Sequence, residues 1–179
     1  MINTFHDIIQ GKNAPDEINV IIEIPKGSKN KYEIDKATGL IALDRALHTA
    51  QDYPFDYGFM PQSLWDDGDA LDVVLLTTYP LFPNVLVVAR PVAIMHMTDS
   101  GEGDDKVIAV PVHDPRWDEI RDLKDINKHT LKELEHFFLT YKKIQGKEVG
   151  VTGFSGAEAA KAAVIKGAKL YKEKYGEKN

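Results

Sequence analysis

No cysteine occurs among the 179 residues. A disulfide framework and a thiolate metal site are both excluded. Any metal must be held by oxygen or imidazole, and oxygen ligands suit hard cations such as magnesium, manganese or calcium. The chain also lacks an apolar run approaching the roughly 20 residues of a membrane span. Its opening, Met-Ile-Asn-Thr-Phe-His-Asp, has no basic segment followed by an apolar stretch, so no secretory signal is visible. These absences predict a cytoplasmic protein with no membrane contact. Basic residues are in the minority, 22 Lys and Arg against 28 Asp and Glu, for a net charge of −6. A nucleic-acid backbone needs a basic surface, so nucleic acid is disfavoured as the main partner. A small phosphate ligand fits if basic side chains gather locally. Repeats, low-complexity segments and linkers are missing too. The length suits one domain over residues 1–179 rather than two.

Strand signals dominate the first two-thirds. Ile-Asn-Val-Ile-Ile-Glu-Ile at 18–24 is β-branched and stops at Pro25, which predicts a strand. Segments 31–35 and 40–44 suggest a hairpin across Thr38-Gly39. A nearly continuous apolar run at 71–78 suggests a buried strand. Segment 85–98 reads as a long strand region broken or bent at Pro91, with 106–112 as its partner across a loop at 99–105. The last third is helical. Thr130-Leu-Lys-Glu133 and Ser155-Gly-Ala-Glu158 are both capping-box patterns. The first precedes Leu131, Leu134, Phe137, Phe138 and Tyr141 on one helical face. The second opens an Ala- and Lys-rich helix running to about Tyr175. Many short strands followed by two helices predict an α+β domain around a small β-barrel.

Two acidic clusters stand out: Asp66, Asp67, Asp69 and Asp72, then Asp99, Glu102, Asp104 and Asp105. Strand phase singles out Asp72, which shares a face with Val74 and Leu76. A carboxylate beside buried aliphatic groups is costly unless a cation or strong hydrogen bonds compensate. Gly68 lets the backbone bend tightly between Asp67 and Asp69. Acidic turns are commonly just solvated, and the inward Asp72 together with the second cluster is what favours a site. An EF-hand loop is ruled out, because Gly68 directly follows the first aspartate and the twelfth position is Thr78. No P-loop ending is present. Lys31, Arg45, Tyr57, Lys106, Tyr141 and Lys142 punctuate the strands and the first helix, and their meaning depends on whether they converge.

At these residues the chain resembles family I soluble inorganic pyrophosphatases of prokaryotic type. The family signature Asp-x-Asp-Pro-x-Asp is read here as Asp67-Gly68-Asp69-Ala70-Leu71-Asp72. The stretches Glu23 to Glu33, Tyr53-Pro-Phe-Asp-Tyr57-Gly58, Met97-Thr98-Asp99 through Lys106, His136 through Lys142, and Gly156-Ala-Glu-Ala-Ala160 match in the family's order. Ala70 replaces the usual Pro, which frees the turn without removing a ligand. Phe154 replaces a common Trp as a packing change. The resemblance implies a five-stranded OB-like barrel with flanking strands and two main C-terminal helices. It implies a magnesium-dependent hydrolase acting on pyrophosphate, with several Mg2+ ions per site and Mn2+ as a substitute. It assigns Asp67, Asp72 and Asp104 to the first metal, with Asp72 touching a second. Asp99 and Glu23 assist metals arriving with substrate, and Asp69 is the general base. Lys31, Arg45, Tyr57, Lys106, Tyr141 and Lys142 bind the phosphates, leaving Asp66 as a bystander. It also implies a homo-oligomer, commonly a hexamer.

Overall fold

A computed structural model describes residues 3–35 and 38–176. The strands are β1 (Ile18–Ile24), β2 (Asn30–Ile34), β3 (Ile41–Ala46), β4 (Asp56–Phe59), β5 (Asp72–Leu75), β6 (Leu86–Asp99), β7 (Glu102–Gly103), β8 (Lys106–Pro111) and β9 (Val149–Gly156). Helix α1 (Lys128–Thr140) precedes β9, and α2 (Ala157–Tyr175) follows it. Five strands close on themselves in the order β1-β4-β5-β8-β6, because β6 also pairs with β1 through Ile18↔Ala89 to Ile21↔Leu86. All contacts in the ring are antiparallel except β5 with β8. Closure leaves the ring no free edge. The expected α+β architecture with a small five-stranded barrel is the one observed.

Strand β6 makes closure possible. Along one edge it pairs first with β1 and then with β9; along the other it pairs with β8 and then β7. The ladder shifts between Pro91 and Ala93, where a proline without an N–H cannot donate and the strand bends. Alternation sorts the side chains into two cores. Ile18, Val20, Ile22, Val73, Leu75, Val107 and Ala109 cluster with Ala160, Ala163 and Val164 of α2. Val74, Leu76, Ile108 and Val110 join Tyr53, Phe55, Tyr57 and the apolar face of α1. The ring of Phe137 lies 4.8 Å from Tyr53, and Phe138 stacks on Phe55 at 5.5 Å. Each such side chain contributes on the order of 1.5–3 kcal/mol by burial, and this packing holds Tyr57 and Tyr141 against the same wall.

Both expected capping boxes are corrected. Helix α1 starts at Lys128, with Asn127 as N-cap accepting from the His129 N–H. Asparagine caps well and lies earlier, so Thr130 sits inside the first turn. Helix α2 has Gly156 at its N-cap, with no side-chain cap from its own segment. The Ala157 N–H instead donates to Asp122 Oδ1 at 2.8 Å, and Ser155 bonds His96. The 71–78 strand is shorter than expected, at Asp72–Leu75.

Candidate active site

A cavity of about 300 Å³ opens at the barrel mouth. The turn before β5 brings Asp67 and Asp69 to its lip. Gly68 sits at φ +84° between them, a conformation favourable to glycine. Its N–H donates to Trp65 O at 2.9 Å, and the Trp65 N–H donates to Asp69 O at 2.8 Å. The Asp69 N–H donates to Asp67 Oδ1 at 3.0 Å. Asp72 follows at the first position of β5, opposite Phe59 in the ladder, at the wet end of the face that Val74 continues into the core. Asp99 ends β6, and Asp104 lies between β7 and β8. Glu23 comes from β1, Lys31 from β2, Tyr57 from β4, Lys106 from β8, and Tyr141 and Lys142 from just beyond α1.

Eleven of the twelve residues given roles by the resemblance line this one cavity; Arg45 does not. Arg45 pairs with Asp44 and stands opposite Lys31 in the β2–β3 ladder. Its Nε is buried without a hydrogen-bond partner. Lys31 contacts Glu33 and lies 3.4 Å from Asp44. Lys142 pairs with Asp99. Asp66 turns away and binds Lys166 Nζ at 2.7 Å.

Lys106 is a deeply buried lysine, only 2% exposed. Its Nζ lies 2.5 Å from Asp72 Oδ2 and also contacts Asp104. Burial pushes its pKa down, but Asp72 and Asp104 more than offset this, and the ammonium is held above its usual range. The carboxyls respond oppositely. Glu23 is pushed up from 4.5 to about 8, first by burial and then by Asp72 and Glu33, against the lowering bond from the Ile34 N–H. Asp104 rises from 3.8 to about 6, again first by burial, with Asp72 adding to the rise and Lys106 opposing it. Asp67 is raised by burial. At Asp99 burial is outweighed by Lys142, and the carboxyl is lowered. Burial and then Asp72 raise the Tyr57 phenol, and burial raises that of Tyr141, so both stay protonated donors at neutral pH.

These shifts have a consequence for the metal-free protein. The folded chain keeps protons that the unfolded chain has lost, from about pH 4.5 to 8 at Glu23 and from about pH 4 to 6 at Asp104. Stability should therefore fall as pH rises through these windows. In EDTA the urea midpoint is expected to be lower at about pH 8.5 than at about pH 5.5. Added Mg2+ should narrow the gap, and a midpoint rising with pH in EDTA would contradict this.

The donor set fits a hard divalent cation. Glu23, Glu33, Asp67, Asp69, Asp72, Asp99 and Asp104 line the cavity against only three ammonium groups, those of Lys31, Lys106 and Lys142. That excess of carboxylate adds to the effect of burial in raising Glu23 and Asp104, and a polyanion would be repelled without added cations. Among the described residues, no three carboxyl or imidazole groups are already gathered at ligating distance. Lysines occupy part of that space.

Comparison with known proteins decides the family. The family model described as inorganic pyrophosphatase matches residues 20–172. The chain belongs to the inorganic pyrophosphatase family. It is 50% identical over 176 residues to the inorganic pyrophosphatase of Haloferax volcanii, covering 98% of this chain and 99% of that one. It is 45% identical to soluble inorganic pyrophosphatase 2 of Chlamydomonas reinhardtii, covering 96% and 89% of the two chains. The crystal structure of the Thermus thermophilus inorganic pyrophosphatase superposes with a TM-score of 0.92 at 44% identity, covering 96% of this chain and 99% of that one. Two acidic residues not expected at the site, Glu33 and Asp44, pair with Lys31 and Arg45. Glu33 was detectable, since it stands two residues from Lys31 on the same strand face. Asp44 carried no signal besides adjacency to Arg45. Among the described residues, no helix is long and apolar enough to cross a membrane.

Proposed function

We propose that this chain hydrolyses inorganic pyrophosphate to two orthophosphates, using divalent cations held by its aspartates. The observation that carries the reading is the convergence of opposite charges on one cavity, seven carboxyl groups beside three ammonium groups and two phenols. A metal-binding module without catalysis would have no use for the Lys and Tyr wall. Asp67, Asp72 and Asp104 would hold the first cation, with Asp72 reaching a second and Asp99 and Glu23 receiving those that accompany substrate. Mg2+, or Mn2+ in its place, supplies charge neutralisation at phosphate oxygens and makes the attacking water more acidic.

The chain's own groups do the rest. Asp69 accepts the proton of the attacking water as general base. The water oxygen attacks one phosphorus in line, the bridging P–O bond breaks, and the second phosphate leaves. Lys31, Lys106, Lys142 and the hydroxyls of Tyr57 and Tyr141 bind phosphate oxygens and stabilise charge that grows on the leaving group. Arg45 stands opposite Lys31 in the β2–β3 ladder but does not line the cavity, so its guanidinium would join them only by leaving Asp44. No covalent enzyme intermediate is required.

Phosphate release from pyrophosphate, measured with and without added Mg2+, tests the reading. Metal-dependent release is expected, and no release across Mg2+, Mn2+ and other divalent ions would sink it. Asp72→Asn should weaken Mg2+ binding in a direct titration, by about tenfold or more if a full ligand is lost. Unchanged affinity would remove Asp72 from the ligand set. By resemblance, the assembly is a cytoplasmic homohexamer, and sedimentation at six times the 20.0 kDa chain mass would support it.

A further inference from the structure

The ladder along β6 is interrupted where Asp104 enters the site. On that edge β8 pairs up to Lys106↔Met95, and β7 begins at Thr98↔Gly103. His96 and Met97 therefore face the gap formed by Asp104 and Asp105. An unpaired buried N–H there would be costly. The Met97 N–H donates instead to Asp105 Oδ1 at 3.1 Å. The Asp104 N–H returns a bond to Met97 O at 2.9 Å. A side-chain carboxylate thus stands in for the missing strand, and the chain is free to turn the neighbouring Asp104 into the cavity.

Asp105 is itself held. Its Oδ2 lies 3.1 Å from His96 Nδ1, and His96 Nε2 lies 2.8 Å from Ser155 Oγ. An ionised carboxylate only accepts, so Nδ1 carries a proton, and in the neutral ring Nε2 then accepts from the Ser155 hydroxyl. His96 is further fixed by the Thr152 hydroxyl on its carbonyl at 3.3 Å, where the β6–β9 ladder shifts. Ser155 lies at the end of β9, next to the start of α2, which Asp122 anchors. The chain of bonds runs from the β9–α2 junction to the peptide beside Asp104. Asp105, His96 and Ser155 take no part in the mechanism above.

We infer that Ser155, His96 and Asp105 form a positioning relay that presets Asp104 for a divalent cation. The inference rests on the proposed role of Asp104 as a metal ligand. The relay contributes by lowering the cost of ordering the ligand before the cation arrives, as outer partners of metal ligands do.

The test is a Mg2+ titration by calorimetry without pyrophosphate on wild type, Asp105→Ala, Asp105→Asn, His96→Ala and Ser155→Ala. Asp105→Ala and His96→Ala should weaken affinity by about tenfold, and Ser155→Ala by less. Asp105→Asn removes the same charge as Asp105→Ala but can still accept from Met97 and bond His96 in the opposite tautomer. It should bind within about twofold of wild type. Turnover at saturating Mg2+ should be retained in all four variants. Two results overturn the relay. One is equal loss in Asp105→Asn and Asp105→Ala, which would make the effect one of charge alone. The other is unchanged affinity with a lowered melting temperature, which would make the network merely structural. Because binding is read without turnover, a wild type that binds Mg2+ but releases no phosphate refutes the proposed activity and leaves the relay to be judged by affinity.

Discussion

Asp69→Asn should lower turnover on pyrophosphate by about 10²- to 10⁴-fold, with melting temperature and Mg2+ affinity close to wild type. Asparagine keeps the shape of the side chain but cannot take a proton near neutral pH. The loop should not notice the change, because its conformation is set by backbone bonds. The Gly68 N–H bonds Trp65 O, the Trp65 N–H bonds Asp69 O, and the Asp69 N–H bonds Asp67 Oδ1. The substitution leaves all three intact. Steady-state turnover at saturating Mg2+, beside a calorimetric metal titration, separates the outcomes. Unchanged turnover would remove Asp69 as the base. A loss of metal affinity with turnover restored at high Mg2+ would make it a ligand instead.

The second large effect should come from a residue with no side chain. At Gly58, in the middle of β4, an added Cβ would lie 1.9 Å from Ile21 O and 2.9 Å from Ile22 Cα. Both are backbone atoms of β1, so no rotamer change relieves the overlap. Strands β1 and β4 would have to separate, opening the closed ring at the wall that carries Glu23 and Tyr57. Gly58→Ala is expected to cost about 4 kcal/mol or more, at the upper end for single substitutions. For a chain of this length each kcal/mol moves the melting temperature by about 2–4 °C. A fall of about 10 °C or more is therefore expected, or failure to fold. A melting temperature within about 2 °C of wild type would mean that β1 and β4 have slack there. Gly68→Ala offers a contrast, since a Cβ there meets nothing within 4 Å. Its cost is confined to the positive φ.

Strands were legible where residue type and phase act locally. The β-branched run of β1 ended where expected, and the bend of β6 fell beside Pro91. The phase that placed Asp72 on one face with Val74 also held, since Val74 and Leu76 lie in one core cluster while Val73 and Leu75 lie in the other. Helix starts were less legible. Ser155 has the right residue type and spacing for a cap, yet His96, 59 positions away, takes its hydroxyl. Asp122, 35 positions before Ala157, takes the first amide of α2. A local pattern states which bonds a side chain can make, and distant competitors decide which it does make.

The acidic signature divides along the same line. The sequence by itself determined that oxygen or imidazole donors and not thiolates must hold any metal, that two acidic segments flank buried strands, and that Asp72 is the member hardest to leave uncompensated. Tertiary structure alone decided that those segments share a cavity, that Lys106 stands between Asp72 and Asp104, and that Asp66 leaves for Lys166. It also placed Arg45 off the cavity and gave Asp105 to the backbone of Met97. The physical reason is range. Residue chemistry and strand phase are properties of a few neighbouring residues, whereas convergence requires barrel closure through β1 and β6, whose paired residues lie more than 60 positions apart.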